Sequence, residues 1–228
     1  MKISLCLMVW NELEGCKRIV PDLPRNDFDE VYAIDGGSTD GTVDYLMSQN
    51  IPVYRQPKKG LNAAYIQAVE KSSCEAVVVF FPKGTISTSS LLQFRPLLRD
   101  GYDLVIASRN IKGARNEEDI KLLKPRKWGV LGLALFAALI WRREGHLVHD
   151  VLHGYKGFTV IGFNKMAPLD YGLSIDIEMV IRSYRKRLRR TEFPVTETTR
   201  SFGETHFKIL PTSIKLAKYL WWECHRRD

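Results

Sequence analysis

Short strand-forming runs alternate with helix-forming stretches through the first half of the chain, and this alternation constrains the fold more than any other feature. Ile3 to Val9, Glu30 to Asp35, Pro52 to Arg55, Ala76 to Phe81 and Tyr102 to Ser108 read as strands. Between the third and fourth, Leu61, Ala64, Tyr65 and Ala68 fall at helical spacing on one face. Such alternation requires crossover connections, and crossovers build a mostly parallel sheet with helices on both faces. The expected class is α/β. Ligands of these sheets bind at the carboxyl ends of the strands, so Trp10 to Glu12, Asp35 to Ser38, Pro82 to Thr85 and Ser108 to Asn110 should line one rim.

The second half reads differently. A charged stretch, "NIKGARNEEDIKLLKPRK", reads as a mobile connection into an apolar run, Trp128 to Trp141, followed by the loop-rich "HLVHDVLHGYKGF". An amphipathic helix follows, with Ile177, Val180, Ile181, Tyr184 and Leu188 on one side and Ser174 as its N-cap. No internal repeat interrupts the 228 residues, a length that suits one core, and the whole chain 1–228 is expected to form a single domain.

The formal charge of +8 favours anionic partners: phosphorylated metabolites, acidic lipid or nucleic acid. The basic "RSYRKRLRR", Arg182 to Arg190, looks like a nucleic-acid patch, but its apolar positions match the core face of one helix, leaving the charges on a solvated or membrane-facing side. No nucleic-acid motif accompanies it, and nucleic acid is not an expected partner. Cys6, Cys16, Cys74 and Cys224 have neither paired nor CxxC spacing, which fits a reduced cytoplasmic setting. The N-terminal run reads as a first strand rather than a leader, since no small-residue cleavage site follows and acids arrive at Glu12 and Glu14. The Trp128 to Trp141 run is shorter than the roughly 20 residues that span a bilayer. Flanked by Lys124, Arg126, Lys127, Arg142 and Arg143, it is either an interfacial segment or a buried helix.

The chemistry concentrates in "VYAIDGGSTDGTVDYL". A strand ends at Asp35, two glycines allow a sharp turn, and Ser38 to Asp40 can cap the next helix, whose first amides favour anions. A strand-to-helix turn without a ligand has the same signature. The absence of GxGxxG and GxxxxGK[ST] disfavours a dinucleotide-binding dehydrogenase or a P-loop nucleotidase. His146, His149, Asp150 and His153 would share one face of a helix; solvated or hydrogen-bonded histidines are commoner than a metal site there, and no metal ligand is assigned.

The order of "VWNELEG", "IDGGSTDGT", "KKGLNAAYIQAVE", "DLVIASRN", "HDVLHGYKGF" and "RSFGETHFK" resembles the inverting family 2 glycosyltransferases, especially their dolichyl-phosphate mannose synthase-like branch. The resemblance implies a Rossmann-like GT-A fold, with a nucleotide-sugar-binding half at 1–110 and an acceptor- and membrane-proximal half at 111–228. It implies that Trp10, Asn11, Glu12, Asp35, Gly36 and Ser38 hold the donor nucleotide, with Lys59 a basic point near the donor and Lys58 beside it. Arg109, Lys156 and Arg200 fall where the resemblance puts donor and acceptor phosphates. Asp150 falls on the acceptor side, where it can activate an acceptor or position Lys156 or Arg109.

The family's acid at the tip of the fourth strand binds Mg²⁺ or Mn²⁺. This chain has Phe81-Pro82-Lys83-Gly84 there, and no cofactor is assigned. An ammonium cannot hold a metal, but it can face the departing diphosphate, which makes Lys83 a catalytic candidate. The resemblance thus implies transfer of a sugar from a nucleotide diphosphate-sugar to a polyprenyl phosphate or other lipid-linked acceptor, with inversion, at the cytoplasmic face of a membrane. The alternative is a non-catalytic relative that binds nucleotide or lipid.

Overall fold

A computed structural model describes residues 1–120, 123–170, 175–199 and 209–226. Its seven strands are β1 (Ile3–Val9), β2 (Glu30–Asp35), β3 (Val53–Arg55), β4 (Ala76–Phe80), β5 (Leu104–Ser108), β6 (Lys156–Thr159) and β7 (Arg190–Pro194). They form one sheet in the order β3-β2-β1-β4-β6-β5-β7. All neighbours are parallel except β6, which runs antiparallel to both β4 and β5. The helices are α1 (Leu13–Ile19), α2 (Thr42–Ser48), α3 (Leu61–Lys71), α4 (Phe94–Arg99), α5 (Pro125–Trp141), α6 (Val160–Met166), α7 (Ile175–Arg185) and α8 (Ile209–His225).

The period of two along the strands divides the core. On β1, Ile3, Leu5, Leu7 and Val9 face one buried layer while Cys6 and Met8 face the other. Val77 and Val79 on β4, and Leu104 and Ile106 on β5, join the layer under α3, α5 and α7. Because both faces are covered, the central strands are apolar throughout, as a parallel sheet requires.

The first five strands fall where the sequence puts them, within two residues at each end. Four expectations for the second half are corrected. The stretch read as loop-rich contains β6, a short strand that begins at the buried Lys156 and carries Gly157, where an added Cβ would lie 2.7 Å from Phe94 Cδ1. The residues from His146 to His153 form an irregular segment with one turn at Val151 and Leu152, not a helix with one shared face. α7 ends at Arg185, and Arg187 takes a left-handed φ of 52° that redirects the chain into β7, so Leu188 is buried beyond the helix. Arg182 and Arg190 are buried rather than solvated: Arg182 pairs with Glu178, and Arg190 donates to the carbonyls of Ser183 and Leu188 at the helix's end.

The described residues of the charged stretch before α5 are tied to the helix's start. Asp119 pairs with Lys124 and Lys127, and the Lys127 amide donates to Glu118. α5 buries Ala134, Ala137, Ala138 and Trp141 and exposes Trp128, Leu135, Phe136 and Leu139, so it is a core helix on one side only. No helix among the described residues is long and apolar enough to cross a membrane. Ser174, Arg200 and the "SFGETHFK" that follows it lie outside the described residues.

Candidate functional site

In this strand order the chain reverses direction of winding between β1 and β4, and the crevice beyond their carboxyl ends is where an open α/β sheet takes its ligand. The antiparallel β6 starts at that same rim, between β4 and β5. The segment leading into it, Val148 to Tyr155, is therefore carried over the strand tips.

At the β1 and β2 tips the two loops are sewn together by short polar side chains. The Asn11 amide donates to Ser38 Oγ at 2.8 Å, and Asn11 Oδ1 accepts from the Thr39 amide at 2.8 Å. The Glu12 amide donates to Thr42 Oγ1 and the Leu13 amide to Asp40 Oδ2, each at 3.0 Å. Burial pushes the Asp40 carboxyl up, but donation from Thr42 and the Leu13 amide outweighs it and holds the group below its usual range.

Asp35 is buried and folded back on its own turn, accepting from the Gly37 and Ser38 amides and from Ser38 Oγ at 2.6 Å. Those bonds shape the loop. Gly36 is confined by the β1 tip, since a Cβ there would sit 3.1 Å from Trp10 Cβ. Trp10 itself is 48% exposed at the rim. A cavity of about 290 Å³ opens at the β2 turn, lined by Asp35, Ser38, Thr39, Asp44, Val53 and Arg55. Arg55, at the end of β3, was not legible as a site residue because nothing marks a lone arginine at a strand end. Lys59 is exposed on the following loop, and Lys58 pairs with Asp170 at 2.5 Å.

The β4 tip turns through Gly84, whose φ is 68°. Lys83 Nζ lies 4.8 Å from the centre of the Phe81 ring. Phe81 to Thr85 contain no carboxylate, and an ammonium at this tip repels a cation, so these residues do not fit the Mg²⁺ or Mn²⁺ that the family's acid would hold. Tyr155 clamps the turn from above: its hydroxyl donates to the Phe81 carbonyl at 2.7 Å, and its ring meets Phe81 edge-on.

At the β5 tip Arg109 is locked between two acids. Its Nε and terminal nitrogen hold both Asp150 oxygens at 2.8 and 2.9 Å, its amide adds a third bond, and its other terminal nitrogen holds Glu197 at 3.0 Å. Burial alone would raise the Asp150 carboxyl; the guanidinium reverses this and brings it to about 2. Glu197 is pushed up, chiefly by burial, against the pull of Arg109. His153 is buried, with Nδ1 donating to the Ala107 carbonyl, and burial lowers its imidazole to about 3. Its Nε2 has no hydrogen-bond partner among the described residues.

The structure thus brings Trp10, Asn11, Glu12, Asp35, Gly36 and Ser38 together at one end of the rim, and Arg109 and Asp150 together at the other, with Lys83 on the turn between. Lys156 is not on the rim surface: fully buried on β6, it pairs with Asp176 at 2.5 Å and donates to the His153 carbonyl. Glu197 was missed in the sequence because "TETT" has no pattern that pairs it with an arginine 88 positions away.

The family Glycosyl transferase family 2 matches residues 4–166. Glycosyltransferase AglJ of Haloferax volcanii is 26% identical over 203 residues, covering 88% of this chain and 65% of that protein, so the chain spans just under two thirds of its length. The UDP-N-acetylglucosamine–dolichyl-phosphate N-acetylglucosaminyltransferase of Methanococcus voltae is 25% identical, with 69% of each chain covered. Among solved structures, glucosyl-3-phosphoglycerate synthase from Mycobacterium tuberculosis, in complex with Mn²⁺, UDP and glucosyl-3-phosphoglycerate, superposes with a TM-score of 0.73 at 17% identity, over 100% of this chain and 81% of that one. That likeness shows the fold, which is GT-A. With more than half of its length matched to one family and the motif order described above, the chain belongs to glycosyl transferase family 2.

Proposed function

We propose that this glycosyltransferase moves a sugar, with inversion, from a nucleotide diphosphate-sugar to a polyprenyl phosphate or other lipid-linked acceptor at the cytoplasmic face of a membrane. The observation that carries the reading is the cavity at the carboxyl end of β2, lined by the Asp35 turn and Arg55, with Trp10 exposed at the tip of the neighbouring β1. A base stacks on the Trp10 ring, with the ribose against the Asp35 turn. The diphosphate then reaches toward Lys83. Within the single domain, residues 1–110 supply this donor half and 111–228 the acceptor half.

Transfer is a displacement at the anomeric carbon. An acceptor phosphate oxygen forms the new C–O bond from the face opposite the diphosphate, whose C–O bond breaks with the electron pair leaving on the nucleoside diphosphate. An anionic phosphate needs no base. Lys83 stabilises the charge that develops on the leaving group, and Asp150 acts as a positioning residue that fixes Arg109. The outward row of α5, Trp128, Leu135, Phe136 and Leu139, is the surface offered to lipid, while Lys124, Arg126 and Lys127 at its start are paired with Asp119 and Glu117.

The second reading, a nucleotide-binding relative without transfer activity, is favoured by one observation, the lysine in place of the family's acid. A melting-temperature panel of UDP-, GDP- and CDP-sugars with and without EDTA, followed by a transfer assay onto polyprenyl phosphate, separates the two. One nucleotide should stabilise the chain, by about 2.7 kcal/mol at 100 times its dissociation constant. Binding without transfer selects the second reading, and stabilisation by no nucleotide overturns both.

A further inference from the structure

Beside the rim, the segment between α5 and β6 meets the edge strand β7 through three side chains that converge on one point. His146 Nε2 lies 3.0 Å and His149 Nδ1 2.9 Å from the same oxygen of Glu192, Oε2. The three ligand atoms lie within 4.8 Å of one another. We propose that His146, His149 and Glu192 form a binding site for a zinc-type divalent transition metal ion, which latches this segment to β7.

The donor set selects the ion. Two imidazoles and one carboxylate suit zinc and its neighbours, whereas Mg²⁺ and Ca²⁺ take oxygen ligands. Zinc bonds of about 2.0–2.2 Å in a tetrahedron put ligand atoms about 3.3 Å apart. The two histidine–carboxylate separations need to open by only a few tenths of an ångström, and the ring nitrogens, within 4.8 Å of each other, adjust to match. The two rings can do this, because their side chains are 36% and 40% exposed, while the Glu192 side chain is fully buried. The carboxylate is held from behind by backbone: the His149 amide donates to Oε2 at 2.8 Å and the Asp150 amide to Oε1 at 2.9 Å. Such outer hydrogen bonds orient a metal ligand and raise its affinity. The neighbouring cation Arg190 donates to the carbonyls of His146 and Glu144. Three protein ligands leave the fourth position to water.

The ion would act one residue upstream of Asp150 and on the same carboxylate that holds the Asp150 amide. Loading would therefore stiffen the segment that positions Arg109.

The test uses the full chain carrying Cys224→Ser, which removes the exposed thiol beside His225 as a competing site. After chelator treatment, zinc is titrated calorimetrically and cobalt by its visible absorption. The expected result is one equivalent of zinc, a tetrahedral cobalt spectrum, and binding weakened more than about tenfold by His146→Gln and by His149→Ala, the scale on which even outer partners of a metal matter. His146→Gln changes a part-exposed ring and leaves the backbone bonds to Glu192 in place, so it reads the metal even if His149→Ala unfolds. No zinc binding, or binding that His146→Gln leaves unchanged, overturns the proposal.

Discussion

The tips of β4 and β5 stand on either side of β6 and both carry a cation, but the two cations are held in opposite ways. At β5, Arg109 is enclosed by Asp150 and Glu197, so one positive charge is met by two negative ones inside the protein. At β4, Lys83 lies over the Phe81 ring on a turn that contains no carboxylate. The difference separates architecture from ligand binding. A guanidinium whose three nitrogens are already bonded is a fixed part of the scaffold, and the local excess of acid repels a diphosphate. The proposed function accordingly assigns the leaving group to Lys83 ahead of Arg109.

The most severe way to break this comparison is to remove the acid at β5. Asp150→Ala leaves a buried guanidinium short of its main partner, and urea unfolding should show a loss of about 3–5 kcal/mol. Lys83→Ala, on a half-buried turn, should change stability by no more than about 0.5 kcal/mol. Equal losses would erase the distinction between scaffold and ligand-facing charge.

A pH titration sharpens the same point. His153 sits beneath the β5 tip, and burial lowers its folded value from the ordinary 6.5 to about 3. Between those values the unfolded chain binds a proton that the folded chain refuses. The stability tied to the neutral ring is thus fully present above about pH 6.5 and is lost as the pH falls toward 3, by up to about tenfold in the folding equilibrium per unit. His153→Asn should flatten the difference curve in that window. An unchanged slope would mean that the ring takes up its proton while folded.

These two tips also show what was legible in the sequence. Strands with β-branched runs announce themselves through period and composition, so the β4 and β5 tips, and the lysine at one of them, are legible in the sequence. The partners of Arg109 are not. Asp150 reaches it only because β6, four residues starting with a lysine and a glycine, inserts antiparallel between β4 and β5. Glu197 reaches it because the chain continues beyond β7, itself preceded by a left-handed Arg187. Neither strand has an apolar alternation long enough to compete with the helical pattern beside it. His146 and His149, two of the three histidines of "HLVHDVLH", were visible, but their shared carboxylate, Glu192, is more than 40 positions away.

The donor experiment puts the ligand-facing side of the contrast under test. If Lys83 substitutes for a metal, nucleoside diphosphate binding should survive EDTA, and Lys83→Ala should weaken it about tenfold, or about 1.4 kcal/mol. Lys83→Asp, which restores the family's acid, should recover affinity only when Mg²⁺ or Mn²⁺ is added. Wild-type binding that strictly requires a divalent ion would move the leaving-group role away from Lys83. Indifference to both substitutions would make it a solvated turn residue.

The smallest effect concerns the link between the tips. Tyr155 enters β6 directly after His153 and Gly154; its ring packs against His153 on the β5 side and against Phe81, the ring beneath Lys83, on the other. Its hydroxyl bond to the Phe81 carbonyl is the polar part of that link. Tyr155→Phe keeps both ring contacts and removes that bond, which should cost about 1 kcal/mol of stability. The informative measurement is its coupling to Lys83. If Tyr155 holds the turn that aims the ammonium, then Tyr155→Phe weakens nucleoside diphosphate binding in the wild-type background but has little further effect in Lys83→Ala. Additive losses would show that the two residues act independently. A scaffold at β5 that aims a ligand-facing charge at β4 predicts coupling, and the double-mutant cycle measures that term alone.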